Sequence, residues 1–246
     1  MLPKFLFIPV PLKWEKALYG PPYVVTETLY HRWVEQHLTP ESVLLDIGAG
    51  PGNPYYFLDV RGRAKRVIGV DVDPAVLRNP RLDEAHVTDG RTFPLEDATV
   101  DLAVSTYVFE HLEDPLDHLR EIARVLKPDG RLFFLTVNAH HPAVALYRML
   151  PSRLRHRIET IFSARDPDGR NYPVCLRANS EAVLRRLARQ AGFAHVDIRH
   201  REQPPHYFRN CLSLWALGVL YERTLGRLPL ADPVKSTLYG EFRKAP

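Results

Sequence analysis

The sequence predicts an α/β protein built on a doubly wound, mostly parallel sheet with helices on both faces. From Val43 onward, short apolar runs typical of buried strands alternate with helix patterns, and the connections between them are short. Such alternation indicates repeated strand–helix–strand units, whose strands pair in parallel. The first run, VLLDI, is followed directly by a cluster of glycines. Ligands of doubly wound sheets bind beyond the carboxyl ends of the strands, so this loop is the first place to look for a site.

Six segments have the composition of strands. In chain order they are VLLDI, RVIGVD, the weaker EAHVTD, VDLAVST, RLFFLTV and HVDIRHRE. Two short helices are predicted between the early strands, one at residues 53–60 and one after Pro74. These connections are short enough to keep successive strands adjacent in one sheet.

Longer helices flank the fifth strand. One is predicted to begin at Asp114 and Pro115, which suit the cap and first-turn positions, and to end before KPDG at residues 127–130. Its apolar residues recur every three to four positions, as on one face of an amphipathic helix. A second capped helix is predicted for Ser180–Gly192. The tail from Pro204 is predicted to be helical and to take the place of a final antiparallel strand.

We expect residues 1–246 to form a single domain, since this length gives a sizeable core. Residues 1–42 are predicted to form an N-terminal lid or helical segment, and residues 43–138 a ligand-binding core. Residues 139–179 lack a clear strand–helix unit and are interpreted as a substrate-facing insertion, because long connections in compact domains are usually functional. Residues 180–246 supply the last helix, a strand and the helical tail.

Composition excludes several classes of protein. The net charge of +4, from 33 basic and 29 acidic residues, is too small to indicate a nucleic-acid partner. The two cysteines are far apart, which favours reduced thiols and a cytoplasmic location. Prolines interrupt the apolar N-terminus, and the run CLSLWALGVLY is too short to span a membrane. We expect a monomer or homodimer without a membrane span.

The glycine loop discriminates between two kinds of nucleotide ligand. Gly48, Gly50 and Gly52 occupy the first, third and fifth positions, whereas the dinucleotide fingerprint requires a glycine at the sixth, where Asn53 stands. Asp46 precedes the first glycine by two residues. Its carboxylate would repel a pyrophosphate but attract an ammonium or sulfonium group. The loop therefore favours a cationic ligand that contains adenosine.

Two further acids end successive strands. Asp71 follows Gly52 by nineteen residues and is suited to accept hydrogen bonds from both ribose hydroxyls. Asp89 ends the next strand in VTDG, where it could accept from the adenine amine while the Gly90 amide faces a ring nitrogen. Three acids at three strand ends are a more specific signal than the glycines alone.

Four segments together resemble a known family. VLLDIGAGPGN, VIGVDVDP, VTDGRTFPLEDATVDLAVSTYVFEHLEDP and LREIARVLKPDGRLFFLTVN are similar to the successive motifs of class I S-adenosylmethionine-dependent methyltransferases. The similarity covers roughly residues 43–138 and is greatest to the bacterial group with ubiquinone- and menaquinone-biosynthesis enzymes. It implies a Rossmann-like fold, S-adenosyl-L-methionine as cofactor and S-adenosyl-L-homocysteine as product.

The resemblance also implies which groups hold the cofactor. They are Asp46, Gly48, Ala49, Gly50, Asp71, Val72, Asp89, Gly90 and Ser105. In the family pattern the glycine loop holds the methionine moiety, with Asp46 supporting its amino group. Asp71 binds the ribose, Val72 lies against adenine, Asp89 and Gly90 contact its edge, and Ser105 lines the site. The alternative for Asp46 is a helix or loop cap.

His111, just beyond the fourth strand, is the candidate general base. Methyl transfer is an in-line displacement that depends mainly on positioning, and a base is needed only when the acceptor must lose a proton. Histidine ionises near neutral pH without special tuning. The alternative is that His111 only shapes the cofactor pocket. A metal-dependent variant of the fold has a glutamate where this sequence has Tyr107, so we predict no metal.

Candidate acceptor-binding residues flank the core. Tyr19 and Tyr23 lie in the predicted lid, and His140 and His141 follow the fifth strand. The alternatives are that the tyrosines pack a leading helix on the sheet and that the histidines are ordinary loop residues. The insertion is rich in arginine, a residue that binds carboxylate or phosphate in a bidentate manner, so an anionic acceptor is one option beside a solvated basic surface.

The sequence thus predicts a methyltransferase acting on a small molecule. The leading hypothesis is O-methylation in natural-product, quinone or glycan biosynthesis. Methylation of tRNA or protein keeps the chemistry but changes the acceptor, and a non-catalytic cofactor-binding subunit is a third reading. A dehydrogenase is the least favoured, because the glycine spacing and Asp46 oppose a dinucleotide.

Overall fold

The structure is a computed structural model that describes residues 9–21, 23–52, 58–151, 153–155 and 172–246. The helices of the described residues are α1 (Leu12–Tyr19), α2 (Thr26–Glu35), α3 (Pro115–Val125), α4 (Pro142–Met149), α5 (Glu181–Gln190) and α6 (Leu212–Arg223). The strands are β1 (Val43–Ile47), β2 (Arg66–Asp71), β3 (Glu84–Val87), β4 (Val100–Thr106), β5 (Leu126–Val137), β6 (Phe193–Arg201) and β7 (Thr237–Lys244). All six predicted strands are present. The helix predicted at residues 53–60 falls mostly outside the described residues.

The strands form one sheet in the order β3-β2-β1-β4-β5-β7-β6. The pairs β3–β2, β2–β1, β1–β4 and β4–β5 are parallel, which confirms the predicted α/β sheet. The chain moves outward from β1 in both directions, so the switch in strand order lies between β1 and β4. Asp46 of β1 lies there, in register with Gly69 of β2 and Val104 of β4. This is where doubly wound sheets bind ligands.

The sheet separates two apolar clusters, as alternating side chains of a strand point to opposite faces. Leu45 and Ile47 of β1 belong to one cluster, which also includes Leu119 of α3 and Leu184 of α5. Leu44 belongs to the other, with the buried aromatic residues of α2. Helices therefore cover both faces, as predicted. Asp114 occupies the N-cap position of α3, although its side chain makes no capping hydrogen bond.

The tail prediction was wrong at its end. The predicted helix is present as α6, but Thr237–Lys244 forms β7, between β5 and β6. A Cβ on Gly240 would lie 2.4 Å from the Asp197 carbonyl of β6, so only glycine permits this close approach. Glu241 is buried and pairs with Arg131 of β5. These interactions are non-local, which is why the tail's own composition did not indicate a strand.

The chain divides into two compact units. The sheet unit comprises residues 27–137, 174–199 and 238–246, and the helical unit comprises residues 1–26, 138–173 and 200–237. In the helical unit, Tyr19 of α1 packs edge-to-face against Trp215 of α6. No helix in the described part of the chain combines the length and apolarity needed to cross a bilayer. That residues 1–246 form a single domain stays a prediction.

Candidate cofactor site

The glycine loop follows β1 and takes a backbone conformation that other residues rarely adopt. Gly48, Gly50 and Gly52 all have positive φ angles, of 74°, 48° and 88°. The Gly48 amide donates to the Val70 carbonyl at 2.8 Å, which anchors the start of the loop to β2. A Cβ on Gly48 would lie 2.3 Å from the Val108 side chain. The loop thus needs glycine for its dihedral angles and for the space around it.

Asp46 places a carboxyl group inside the sheet at the base of this loop. The side chain is buried. Burial and the nearby Asp71 carboxylate both disfavour the ionised form and raise the pKa of Asp46 to about 8. Tyr30 of α2 is fully buried beside it, and burial raises the pKa of Tyr30, with the Asp46 charge contributing. A buried acid that is protonated in the ligand-free protein is suited to bind a cationic ligand, because the positive charge of the ligand favours the ionised carboxylate.

Asp71 ends β2 and holds the loop from the opposite side. Its Oδ2 accepts a hydrogen bond from the Gly50 amide at 2.8 Å, and its Oδ1 accepts from the Asp73 amide at 2.8 Å. Each carboxylate oxygen has a second lone pair. The carboxylate can therefore fix the loop and still accept from ribose hydroxyls, which stays a prediction.

Asn79 is a site residue that the sequence did not reveal. Its buried side-chain amide donates to the carbonyls of Ala49 and Gly50 at 3.1 and 3.2 Å, while its Oδ1 accepts from the Arg81 amide at 3.0 Å. It follows the 3-10 helix Pro74–Arg78, thirty residues beyond Ala49. An asparagine before a proline is usually taken as a turn residue, so nothing in the local pattern predicted this long-range contact.

The predicted adenine region comprises Val72, Asp89 and Gly90. Val72 is exposed, and a Cβ on Gly90 would lie 3.2 Å from its side chain, so the two residues are neighbours. The Oδ1 of Asp89 accepts from the Arg91 and Thr92 amides, and these hydrogen bonds lower the pKa of Asp89. An ionised acid and an exposed apolar side chain thus lie close to Gly90.

The backbone groups of Gly90 take part in hydrogen bonds within the protein. The Gly90 amide donates to Thr88 Oγ1 at 3.2 Å, so a hydrogen bond to an adenine nitrogen would have to replace or share this bond. The Gly90 carbonyl accepts from His118 Nδ1 of α3 at 3.0 Å. Burial lowers the pKa of His118 and favours the neutral ring. His118 is a second positioning residue that only the structure revealed.

Ser105 is a buried polar residue at the edge of the sheet where the ligand is predicted to bind. It lies near the carboxyl end of β4, opposite Ile47 of β1, and it is buried. Its hydroxyl has no hydrogen-bond partner among the residues that the structure describes. Buried hydroxyls are normally satisfied. Together with the Asp46 carboxyl and the glycine loop, this free hydroxyl fits a ligand with amino and carboxylate groups.

The turn that carries His111 is held by a buried chain of polar groups. Asn179 Nδ2 donates to Thr136 Oγ1, which in turn donates to Glu110 Oε2, each at 2.8 Å. The Glu110 carbonyl accepts from the Cys175 and Leu176 amides. Burial raises the pKa of Glu110, and the adjacent His111 charge opposes this.

His111 itself is half-buried and ends the 3-10 helix Phe109–His111. It directly follows Glu110, whose side chain and carbonyl accept the hydrogen bonds described above. In the described part of the chain, no group of three or more histidine, cysteine, aspartate or glutamate side chains could hold a metal ion. The predictions for His111 and for a metal-free site stay predictions.

The four candidate acceptor residues all lie in the helical unit. The Tyr19 and Tyr23 rings meet edge-to-face with centroids 5.1 Å apart, and the Tyr19 hydroxyl donates to Glu222 at 3.4 Å. His140 is exposed, whereas His141 is buried, with Nε2 3.5 Å from a Glu202 oxygen. Tyr30 and Trp33 of α2, by contrast, pack in the core of the sheet unit. The acceptor roles stay predictions.

The segment that contains the candidate site is similar to known proteins. The sequence profile of the family described as "Methyltransferase domain" matches residues 45–134, the segment that holds the glycine loop and the acids. Residues 45–134 are thus similar to methyltransferase domains. This similarity agrees with the resemblance drawn from the motifs and does not single out the ubiquinone and menaquinone group.

Curated relatives match this chain over part of their own length. A probable S-adenosylmethionine-dependent methyltransferase of Mycobacterium tuberculosis is 36% identical over 116 residues, which is 44% of this chain and 41% of that protein. A malonyl-[acyl-carrier protein] O-methyltransferase of a Marinomonas species is 32% identical over 108 residues, or 41% of this chain and 40% of that protein. The chain therefore spans less than half the length of either relative.

A solved structure supports the same fold over most of the chain. The YcgJ protein of Bacillus subtilis superposes with a TM-score of 0.58 at 16% identity, covering 88% of this chain and 98% of that one. At this identity the likeness concerns the fold. It covers more of the chain than the family profile does.

Proposed function

We propose that the protein transfers a methyl group from S-adenosyl-L-methionine to an oxygen of a small-molecule acceptor. The observation that carries this proposal is the buried Asp46 carboxyl beside Asp71 at the switch point of the sheet. A pyrophosphate at this position would face the Asp71 carboxylate and would oppose ionisation of Asp46, whereas a ligand with ammonium and sulfonium groups would favour the ionised form of both acids.

Different residues of the sheet unit are proposed to bind different parts of the cofactor. The glycine loop offers backbone groups to the methionine moiety, and Asp46 takes its ammonium group. Asp71 accepts from the ribose, while Val72 and Asp89 contact adenine. Asn79 keeps the carbonyls of Ala49 and Gly50 turned away from the ligand, because its side chain donates to both.

When bound, S-adenosylmethionine supplies a methyl group on a positively charged sulfur, which leaves as a neutral thioether. The acceptor oxygen forms the new bond to carbon, and a hydroxyl acceptor releases one proton. His111 is proposed to take this proton. Glu110, Thr136 and Asn179 would hold the His111 turn still, which matters since misplacement of a reacting group by about 1 Å can cost roughly 100-fold in rate.

The choice of an oxygen acceptor is supported by two relatives that are named as O-methyltransferases. Their names specify an acyl group on a carrier protein, and the proposal for this chain does not include the carrier. An acceptor with a hydroxyl group must lose a proton, and His111 is the residue proposed to take it.

Two measurements test the proposal. Thermal unfolding should shift upward with S-adenosylhomocysteine and stay unchanged with NAD, because only a ligand that binds the folded state stabilises it. Formation of S-adenosylhomocysteine should then depend on an added phenol, quinol or sugar hydroxyl in an acceptor panel. Stabilisation by NAD alone would contradict the cofactor assignment, and tight S-adenosylhomocysteine binding without turnover on any acceptor would contradict the catalytic one.

A further inference from the structure

The two units differ in charge. The helical unit contains 14 lysine and arginine residues and 7 acidic residues, for a net charge of +7. The sheet unit holds the remaining 19 basic and 22 acidic residues, for a net charge of −3. The small net charge of the whole chain is therefore the sum of a basic unit and a weakly acidic unit. A basic unit points to an anionic partner.

The helical unit also exposes a face of leucine side chains. On α6, Leu214, Leu217 and Leu220 follow one another at intervals of three residues and share one side of the helix. Leu217 and Leu220 are 62% and 60% exposed, while Trp215 is buried on the other side. Leu230, shortly after α6, is 94% exposed. We call Leu214, Leu217 and Leu220 the leucine face.

A second segment combines exposed apolar and basic side chains. On and after α4, Leu146, Met149 and Leu154 are exposed, with Arg148 and Arg153 exposed between them. Within the described residues, neither arginine has an acidic side chain within salt-bridge distance, in contrast to Arg185 of the sheet unit, which pairs with Glu181. We call Leu146, Arg148, Met149, Arg153 and Leu154 together the basic segment.

We propose that the helical unit binds the surface of an anionic lipid bilayer through the leucine face and the basic segment. Contiguous exposed apolar side chains mark interaction sites. Arginines beside exposed leucines are the combination that holds peripheral proteins at the headgroup region, where the side chains enter the acyl boundary and the charges meet anionic lipid. At 12 residues, α6 is too short to cross the hydrocarbon core and is suited to lie along the bilayer surface.

The composition of the leucine face favours a bilayer over a protein partner. The buried centres of protein interfaces are enriched in aromatic side chains, and leucine contributes few of their dominant contacts. The exposed positions of α6 before Arg223 are Ser213, Leu214, Ala216, Leu217 and Leu220, none of them aromatic. The proposal goes beyond the proposed function and does not depend on it.

Co-sedimentation with vesicles tests the proposal. The full chain should bind phosphatidylcholine vesicles that contain phosphatidylglycerol, and bind vesicles of phosphatidylcholine alone far more weakly. Raising the salt concentration should release it, because screening weakens exposed charge interactions. Binding that is equal on both vesicle types, or unaffected by salt, would overturn the proposal.

Variants locate the surface. Leu217→Glu combined with Leu220→Glu should weaken vesicle binding at least tenfold, since each leucine then no longer enters the acyl boundary. Leu77→Glu is the matched control, because Leu77 is 60% exposed but lies in the sheet unit, and it should leave binding unchanged. Arg148→Gln and Arg153→Gln should each lower binding to the anionic vesicles about fivefold.

Three results would overturn this assignment. The first is that the double leucine variant binds vesicles as well as the Leu77→Glu control does. The second is that the double variant converts a dimer to a monomer in sedimentation velocity while vesicle binding persists. The third is that the chain binds a purified acidic carrier protein but not anionic vesicles.

Discussion

Replacing Asp46 by asparagine removes the only ionisable side chain of β1. Asparagine has nearly the same shape but cannot ionise. In the folded protein the pKa of Asp46 is about 8, because the carboxyl is buried near Asp71, whereas its ordinary value is 3.8. The folded state therefore retains a proton that the unfolded chain releases across this range. We expect Asp46→Asn to change how stability depends on pH.

The sign and size follow from linkage. The protonated Asp46 stabilises the folded state fully below about pH 4, and this contribution is lost as the pH rises through about 8. One pKa unit corresponds to about 1.4 kcal/mol. Between pH 5 and pH 8 the wild-type free energy of unfolding should thus fall by about 4 kcal/mol relative to a variant without this group. A protein with a total stability of roughly 5–15 kcal/mol would show this clearly.

Urea denaturation at several pH values between about 5 and 8.5 measures this pH dependence of the free energy of unfolding. The range is roughly the one over which the linkage acts. Asp46→Asn should be more stable than wild type at the upper end, and the difference should shrink steadily toward pH 5. Asp101→Asn is a suitable control, because Asp101 lies on the neighbouring strand β4 and pairs with Lys127 near its start, away from the glycine loop. A difference for Asp46→Asn that is constant across the pH range, or that grows toward low pH, would refute the reasoning.

The same group links cofactor affinity to pH. A cationic ligand beside Asp46 favours the carboxylate, so binding below pH 8 should release a proton. Affinity for S-adenosylhomocysteine should then rise with pH by up to about tenfold per unit in the wild type and much less in Asp46→Asn. Calorimetry in two buffers of different ionisation enthalpy reports the proton directly, and equal heats in both buffers would contradict the model.

Three further predictions concern single side chains. Asp71→Asn keeps the size of the side chain but loses its charge, so S-adenosylhomocysteine affinity should fall at least tenfold in a calorimetric titration and the pKa of Asp46 should drop; unchanged affinity would contradict the ribose role. Asn79→Ala leaves the Ala49 and Gly50 carbonyls without their donor and should lower the free energy of unfolding, measured in urea, by about 1–3 kcal/mol. An unchanged free energy of unfolding would mean that these two hydrogen bonds do not stabilise the fold. His111→Gln should lower turnover on a hydroxyl acceptor by about 100-fold to 10,000-fold with an unchanged cofactor dissociation constant; loss of cofactor binding instead would favour the alternative that His111 shapes the pocket.

Most of the fold followed from local pattern. Strands β1 to β6 were predicted because their apolar composition and short connections are properties of neighbouring residues. The glycine loop was predicted for the same reason, since its conformation requires glycine whatever packs around it. Strand β7 was not, because Thr237–Lys244 owes its place to β5 and β6, which lie far away in the chain.

The candidate site divides in the same way. The identities and order of Asp46, Asp71 and Asp89 were visible in the sequence and indicated a cationic nucleoside ligand. Asn79 and His118 were not predicted, because each contacts a loop some thirty residues away. Their side chains acquire a role only when the sheet brings those segments together.

Thus the primary sequence decided which chemical groups stand at the ends of the strands, and it did so through short-range periodicity. The tertiary structure decided the state of those groups. Asp46 has a perturbed pKa because distant segments exclude water from it, and the leucine face is exposed because the helical unit buries the opposite side of α6. Dehydration and exposure depend on contacts between remote residues, which a local pattern does not contain.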